Sequence, residues 1–272
     1  MLKPYLLITG IPRSGTTLAA SLVDQLEDTL CLNEPSRYYE WAIHCQNRTE
    51  FVAKLVADLE EMRTSLQRGG TVLDVRESDG GVPTNYFNDR GKRRKLDCVP
   101  VSKPGTGARL LLAVKHNEPL TAVLPELCEL EGVQVAAIVR HPIPTILSWQ
   151  SRDIPLSKGN LSPGYRFWDE AMAIRGAEGP AVHIQAKIFE LYCSRYWAYR
   201  DRIEIIQYEE IVSNPRILER LTGRKFASEI TLDTQNRKLS SRSKDEHVMG
   251  LKRVLNTCLR NAYHFYPDLD VW

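Results

Sequence analysis

The sequence has no stretch that approaches the roughly 18 consecutive apolar residues needed to cross a bilayer. The short run Tyr5 to Ile8 behind Met-Leu-Lys-Pro is also too brief for a secretory signal. No sign of charge dominates: 36 Lys plus Arg against 34 Asp plus Glu leave a formal charge of +2, so nucleic acid and anionic membranes are not expected partners. Any anion site has to be local. The 6 cysteines are scattered, with no Cys-x-x-Cys pair and no Cys/His grouping, which speaks against a zinc site or a disulfide framework and for free thiols in a reducing compartment. The chain therefore reads as cytoplasmic, with no membrane span and no metal. No repeat of fixed period is visible.

What is present is a chain of 272 residues, 43% hydrophobic and 26% charged, long enough for one large domain. Tyr5 to Thr9 reads as a buried strand, and Thr16 to Leu26 carries apolar residues at helical spacing (Leu18, Leu22, Val23, Leu26), so a glycine loop lies between strand and helix. A short apolar run Leu30-Cys31-Leu32 ends in Asn33-Glu34-Pro35, and a helical pattern covers Thr49 to Gln67. Residues 76 to 107, rich in Gly, Pro, Asp and Arg, read as an irregular surface insertion. Strands are expected at Arg109 to Val114, Val133 to Val139 and Ile203 to Tyr208, and helices at Leu120 to Leu130, from Pro142 through Trp149, and late in the segment from Ser240 to Tyr263. The loop Ser151 to Gly164 separates two of these elements. This alternation predicts an α/β fold: a single three-layer domain, residues 1–272, with a central parallel sheet.

Backbone N–H groups in a glycine turn, joined to the positive end of the next helix, make a strand-to-helix junction an anion site. Gly10 to Thr17 has that setting and the glycine spacing of the G-x-x-x-x-G-K-[ST] phosphate loop, but Thr16 stands where that loop has its lysine. The cation inside the loop is Arg13 instead. A kinase or NTPase uses the missing lysine on its β- and γ-phosphates, together with a metal-binding aspartate after a later strand that is not evident here. A donor in which one phosphate carries a different transferable group fits the loop better than a triphosphate.

The string Ile11-Pro12-Arg13-Ser14-Gly15-Thr16-Thr17-Leu18 resembles the 5′-phosphosulfate loop of the sulfotransferases that use 3′-phosphoadenosine 5′-phosphosulfate (PAPS), in the arginine form found in tyrosylprotein, carbohydrate and bacterial branches. The resemblance implies that Arg13 bonds the 5′-phosphate and steadies charge on the leaving oxygen, with donors from Ser14, Gly15, Thr16 and Thr17. PAPS carries a 3′-phosphate, so a second anion site is required. Val139-Arg140-His141-Pro142, with Ser148 eight residues after Arg140, resembles the family's 3′-phosphate motif. Ile206-Gln207-Tyr208-Glu209-Glu210 resembles the segment whose tyrosine lies near the adenine, and Ser240 to Lys244, with Ser241 and Arg242, resembles a late loop that closes over the phosphates.

Sulfuryl transfer to a hydroxyl needs a base for the acceptor proton and cations for the growing phosphate charge. Two bases are candidates. Glu34 matches the glutamate of the tyrosylprotein branch, whereas His116 follows Lys115 near the place of the histidine used by the small-molecule branch, in a string that departs from that branch's pattern. Glu34 is the favoured one, and Lys115 is placed to neutralise the transferring sulfonate. The expected reaction is in-line transfer of a sulfuryl group from PAPS to a hydroxyl of a small molecule, glycan or lipid, leaving 3′-phosphoadenosine 5′-phosphate (PAP). A P-loop kinase or NTPase and a non-catalytic nucleotide-binding protein are the alternatives. Segment 76–107 and loop 151–166 are expected to shape the acceptor pocket, with Trp149 and Trp168 flanking the latter. The basic run Lys92 to Lys95 reads as a solvated loop or a contact for an anionic acceptor.

Overall fold

Along the strands, successive apolar side chains divide between two faces, and each face carries its own core. The structure, a computed structural model, describes residues 3–88, 92–230, 232 and 246–269. In chain order its elements are β1 (Tyr5–Gly10), α1 (Thr16–Asp24), β2 (Thr29–Asn33), α2 (Ser36–His44), α3 (Arg48–Gln67), β3 (Val72–Arg76), β4 (Asp97–Val101), β5 (Leu111–Lys115), α4 (Glu118–Ala122) and α5 (Leu124–Leu127). Then follow β6 (Val133–Val139), α6 (Pro142–Gln150), α7 (Asp169–Ile174), α8 (Ala181–Ala198), β7 (Glu204–Gln207), α9 (Tyr208–Ser213), α10 (Ile217–Thr222) and α11 (Glu246–Cys258). Five strands form one sheet in the order β2-β5-β1-β6-β7, and every pairing in it is parallel.

Leu6 and Ile8 of β1, Leu111 and Ala113 of β5, and Ala136 and Ile138 of β6 meet α1, Ile211 of α9 and Leu218 of α10 on one face. Leu7, Leu112, Val114, Val135, Ala137 and Val139 turn to the other, against side chains of α2, α3, α4, α6, α8 and α11. The protein is thus a three-layer α/β structure whose strands are apolar on both faces, as a covered parallel sheet requires. The helix after β1 leaves on one face and those after β5 and β6 leave on the other. That divergence opens a crevice beside the end of β1, the usual ligand position in such sheets.

Two expectations from the sequence change. Segment 76–107 is not irregular throughout: β3 and β4 pair antiparallel from Val72 opposite Val101 to Arg76 opposite Asp97, a ribbon favoured by its β-branched valines. The single helix expected over Leu120 to Leu130 is instead the short pair α4 and α5, because Pro125 lacks an N–H and crowds the preceding turn. Among the described residues no helix is long and apolar enough to cross a membrane.

Candidate functional site

Gly10, Asn33, Lys115, Val139 and Gln207 end the five strands on one edge of the sheet, and the loop after β1 is folded against that edge. Its shape depends on glycine. A Cβ on Gly15, where φ is 91°, would lie 2.3 Å from Cδ2 of Tyr208, and one on Gly10 would lie 2.4 Å from the Ile138 carbonyl oxygen. Arg13 takes the left-handed region as well, with φ 69°. The loop is pinned from outside by the Trp149 indole N–H, which donates to the Pro12 carbonyl at 2.6 Å. Trp149, at the end of α6, thus braces the glycine loop.

Ser14 differs from its expected role. Its N–H donates to the Ile11 carbonyl within the loop at 2.9 Å and its hydroxyl donates to the Ile138 carbonyl of β6 at 2.7 Å, so one donor closes the loop and the other ties it to the sheet. The first N–H groups of α1, from Thr16 and Thr17, have no carbonyl one turn earlier to receive them and remain for an anion. The Thr17 hydroxyl accepts from Lys115 Nζ at 3.3 Å.

Three guanidinium groups converge on this loop. Arg13 Nε donates to Ser148 Oγ at 3.2 Å and its NH2 to Asn85 Oδ1 at 3.2 Å. Arg140 reaches the Arg13 carbonyl at 3.5 Å and lies 4.4 Å from the Tyr208 ring centroid. Arg13 and Arg152 stand 5.0 and 5.6 Å from the ring of Phe87. Burial, followed by repulsion from Arg152 and Arg140, pulls the Arg13 guanidinium down to about 10, with Glu34 opposing. Among the described residues none of the three forms an ion pair with a carboxylate, and the buried Nε atoms of Arg140 and Arg152 lack hydrogen-bond partners. Buried donors left unpaired are uncommon in proteins and here mark a place for an anion. Ser148 was expected beside Arg140, but it meets Arg13, because Arg140 turns over Tyr208 at the start of α9.

Next to this cluster, Lys115 is 1% exposed and its ammonium is paired with Glu34, whose side chain is 28% exposed. Burial pushes the Glu34 carboxyl up, but Lys115 and His116 outweigh that and leave it below the usual carboxylate value. Burial lowers His116 to about 4, so its ring is neutral at pH 7, and its buried Nδ1 has no partner among the described residues. Both side-chain polar atoms of the fully buried Asn33 are likewise unpaired.

The structure therefore gathers Arg13, Gly15, Thr16, Thr17, Glu34, Lys115, His116, Arg140, Ser148 and Tyr208 at one sheet edge. Ser241 and Arg242 lie outside the described residues. Four participants were not identified in the sequence: Arg152, Asn85, Phe87 and Glu118. Arg152 stands four residues after Ser148 but just past the end of α6, in the turn that follows it, so helical spacing does not foretell its place. No local signal foretells Asn85 and Phe87, which reach Arg13 from the distant segment 76–107. Glu118, bonded by the Ser162 hydroxyl, is pushed up to about 7 by burial, with Glu34 adding to the rise and Ser162 and Lys115 opposing it. Within the basic run, Arg94 is tied to Glu77 at 2.6 and 2.5 Å and is not a free contact for an acceptor.

No protein-family model matches the chain, and no curated protein matches it. Among solved structures it is similar to a sulfotransferase from Alicyclobacillus acidocaldarius, at 12% identity and TM-score 0.45 over 94% of this chain and 96% of that one. It is also similar to retinol dehydratase in a complex with retinol and PAP, at 15% identity and TM-score 0.33, covering 89% of this chain and 65% of the other. A complex of retinol dehydratase with androsterone and PAP aligns at 14% identity, with TM-score 0.33 and coverage of 89% and 64%.

Proposed function

We propose that the chain is a PAPS-dependent sulfotransferase that transfers a sulfuryl group to a hydroxyl. The observation that carries this reading is the trio Arg13, Arg140 and Arg152 around a glycine loop that lacks the NTPase lysine, with none of the three held by a carboxylate among the described residues. A donor with phosphates at two positions suits a cluster spread over two strand ends better than a single chain of phosphates does. The residues fit such a group: a glycine loop leading into the first N–H groups of α1, and orphaned buried donors beside it.

When bound, the donor would supply an activated sulfuryl group on its 5′-phosphate. Arg13 and the first N–H groups of α1 would hold that phosphate and steady the charge left on it. Arg140 would hold the 3′-phosphate, and Tyr208, whose ring it covers, would offer a face to the base. Lys115 would face the sulfonate, which gives its ammonium an anionic partner other than Glu34. As that hold loosens, burial moves the Glu34 carboxyl upward, and it becomes a better acceptor of the hydroxyl proton at the moment one must be taken.

Incubation with sulfur-labelled PAPS and a panel of phenols, sugars and sterols tests this. Label is expected on one class of hydroxyl, with Glu34→Gln lowering kcat by about 100-fold or more and His116→Gln by much less. Donor binding with no labelled product from any class would leave the non-catalytic reading standing.

A further inference from the structure

Strand β2 is the edge of the five-stranded sheet, and β5 pairs with one side of it only. The backbone groups on its open side would otherwise need water or another strand. Side chains take them instead. The Cys31 N–H donates to Asp24 Oδ1 at 2.8 Å, and the Cys31 carbonyl accepts from Arg76 NH2 at 3.0 Å. Two residues on, the Asn33 N–H donates to Asp74 Oδ1 at 2.8 Å and the Asn33 carbonyl accepts from the Tyr86 hydroxyl at 3.3 Å. Arg76, 2% exposed, lies between Asp24 and Asp74 at 2.6 and 2.7 Å, so this edge is sealed by a buried ion group.

The last of these bonds falls on the peptide unit that joins Asn33 to Glu34. Its carbonyl is held by Tyr86, and its N–H, on Glu34, donates to the Lys115 carbonyl at 2.8 Å. Glu34 has φ 56°, a conformation that costs a non-glycine residue on the order of 1 kcal/mol and persists only when its surroundings enforce it. The peptide plane is thus clamped at both ends just where the chain is strained. We propose that Tyr86 is a positioning residue whose hydroxyl, by fixing the Asn33–Glu34 peptide, aims the Glu34 carboxylate at Lys115. This inference rests on the role of Glu34 given above.

The surroundings of Tyr86 suit a permanent donor. Its ring lies 5.7 Å from the Lys115 ammonium and 5.8 Å from the Arg93 guanidinium. Burial, then the Glu34 charge, keep its hydroxyl protonated far above the ordinary range. Arg94 anchors the segment by donating to the Asn85 carbonyl at 3.2 Å while paired with Glu77.

The test follows the carboxyl carbons of 13C-labelled glutamates by NMR, with the Glu34 signal assigned by its loss in Glu34→Gln. In Tyr86→Phe, which keeps the ring, the Glu34 titration midpoint should move up by about 0.5 or more, because the carboxylate is no longer held on Lys115. Exchange of the Glu34 amide should quicken by about tenfold, while that of β6 stays unchanged. Arg94→Gln, which frees the anchor without touching the core, should move both in the same direction. An unchanged Glu34 titration and unchanged amide exchange in either folded variant overturn the proposal. Calorimetry with PAP on the wild-type sample keeps the two ideas apart: absence of PAP binding contradicts the sulfotransferase reading, while the Glu34 signal still decides the role of Tyr86.

Discussion

Glu34 and Glu118 feel one another's charge, yet their surroundings push them in opposite directions. Glu34 lies below its usual range because Lys115 and His116 outweigh burial, whereas Glu118 is raised to about 7, with burial the largest cause. A carboxyl whose folded value is raised contributes stability that is fully present below the unfolded value of about 4.5 and lost as pH rises through about 7. Glu118→Gln has no such dependence. Its stability relative to wild type should therefore grow between pH 5 and pH 8 by on the order of 2 kcal/mol, measured by urea unfolding at the two pH values. The same difference at both would show that Glu118 ionises normally. His116 runs the other way: buried and neutral down to about 4, it withdraws stability as pH falls below 6.5. At this scale the sequence disclosed residue types at meaningful spacing, Arg13, Glu34, Lys115 and Arg140 among them, because loop and strand-end motifs are local. It could not disclose that both donors of Ser14 are consumed by Ile11 and Ile138, or that Asn85 reaches Arg13, because those depend on packing between distant segments.

The junction of β1 and α1 depends on Gly15 for two separable reasons, its φ of 91° and the ring of Tyr208 where a Cβ would stand. Gly69, with φ 81° and nothing near its missing Cβ, isolates the first. Gly69→Ala is expected to cost about 1 kcal/mol, and Gly15→Ala more than about 2 kcal/mol with loss of nucleotide binding, checked by chemical unfolding and calorimetry. Equal costs would mean that Tyr208 yields freely. The elements most legible in the sequence were those bounded by strong signals: β6 occupies Val133–Val139 as read, and α6 begins at Pro142, where proline suits a first turn. Helix α8 is not evident in the sequence although it supplies much of one core, since Gln185, Tyr192, Cys193 and Tyr196 fill buried positions that a purely apolar pattern does not flag. The ribbon β3–β4 was obscured by the Gly, Pro and Asp around it, which mark turns but say nothing of the short strands between them.

Over the whole molecule, a near-neutral chain concentrates cations at one sheet edge, where three arginines and a buried lysine surround a glycine loop. Such an arrangement is relieved by an anion, and binding should also stabilise the fold by mass action. The anion proposed for this edge is a nucleotide phosphorylated at both 3′ and 5′ positions. Isothermal titration with PAP, with adenosine 5′-phosphosulfate and with ATP plus magnesium, on wild type and on Arg140→Ala, tests it most directly. Wild type is expected to bind PAP most tightly, and Arg140→Ala to weaken PAP by about tenfold or more while changing adenosine 5′-phosphosulfate little. Tight binding of magnesium ATP without binding of PAP would contradict it.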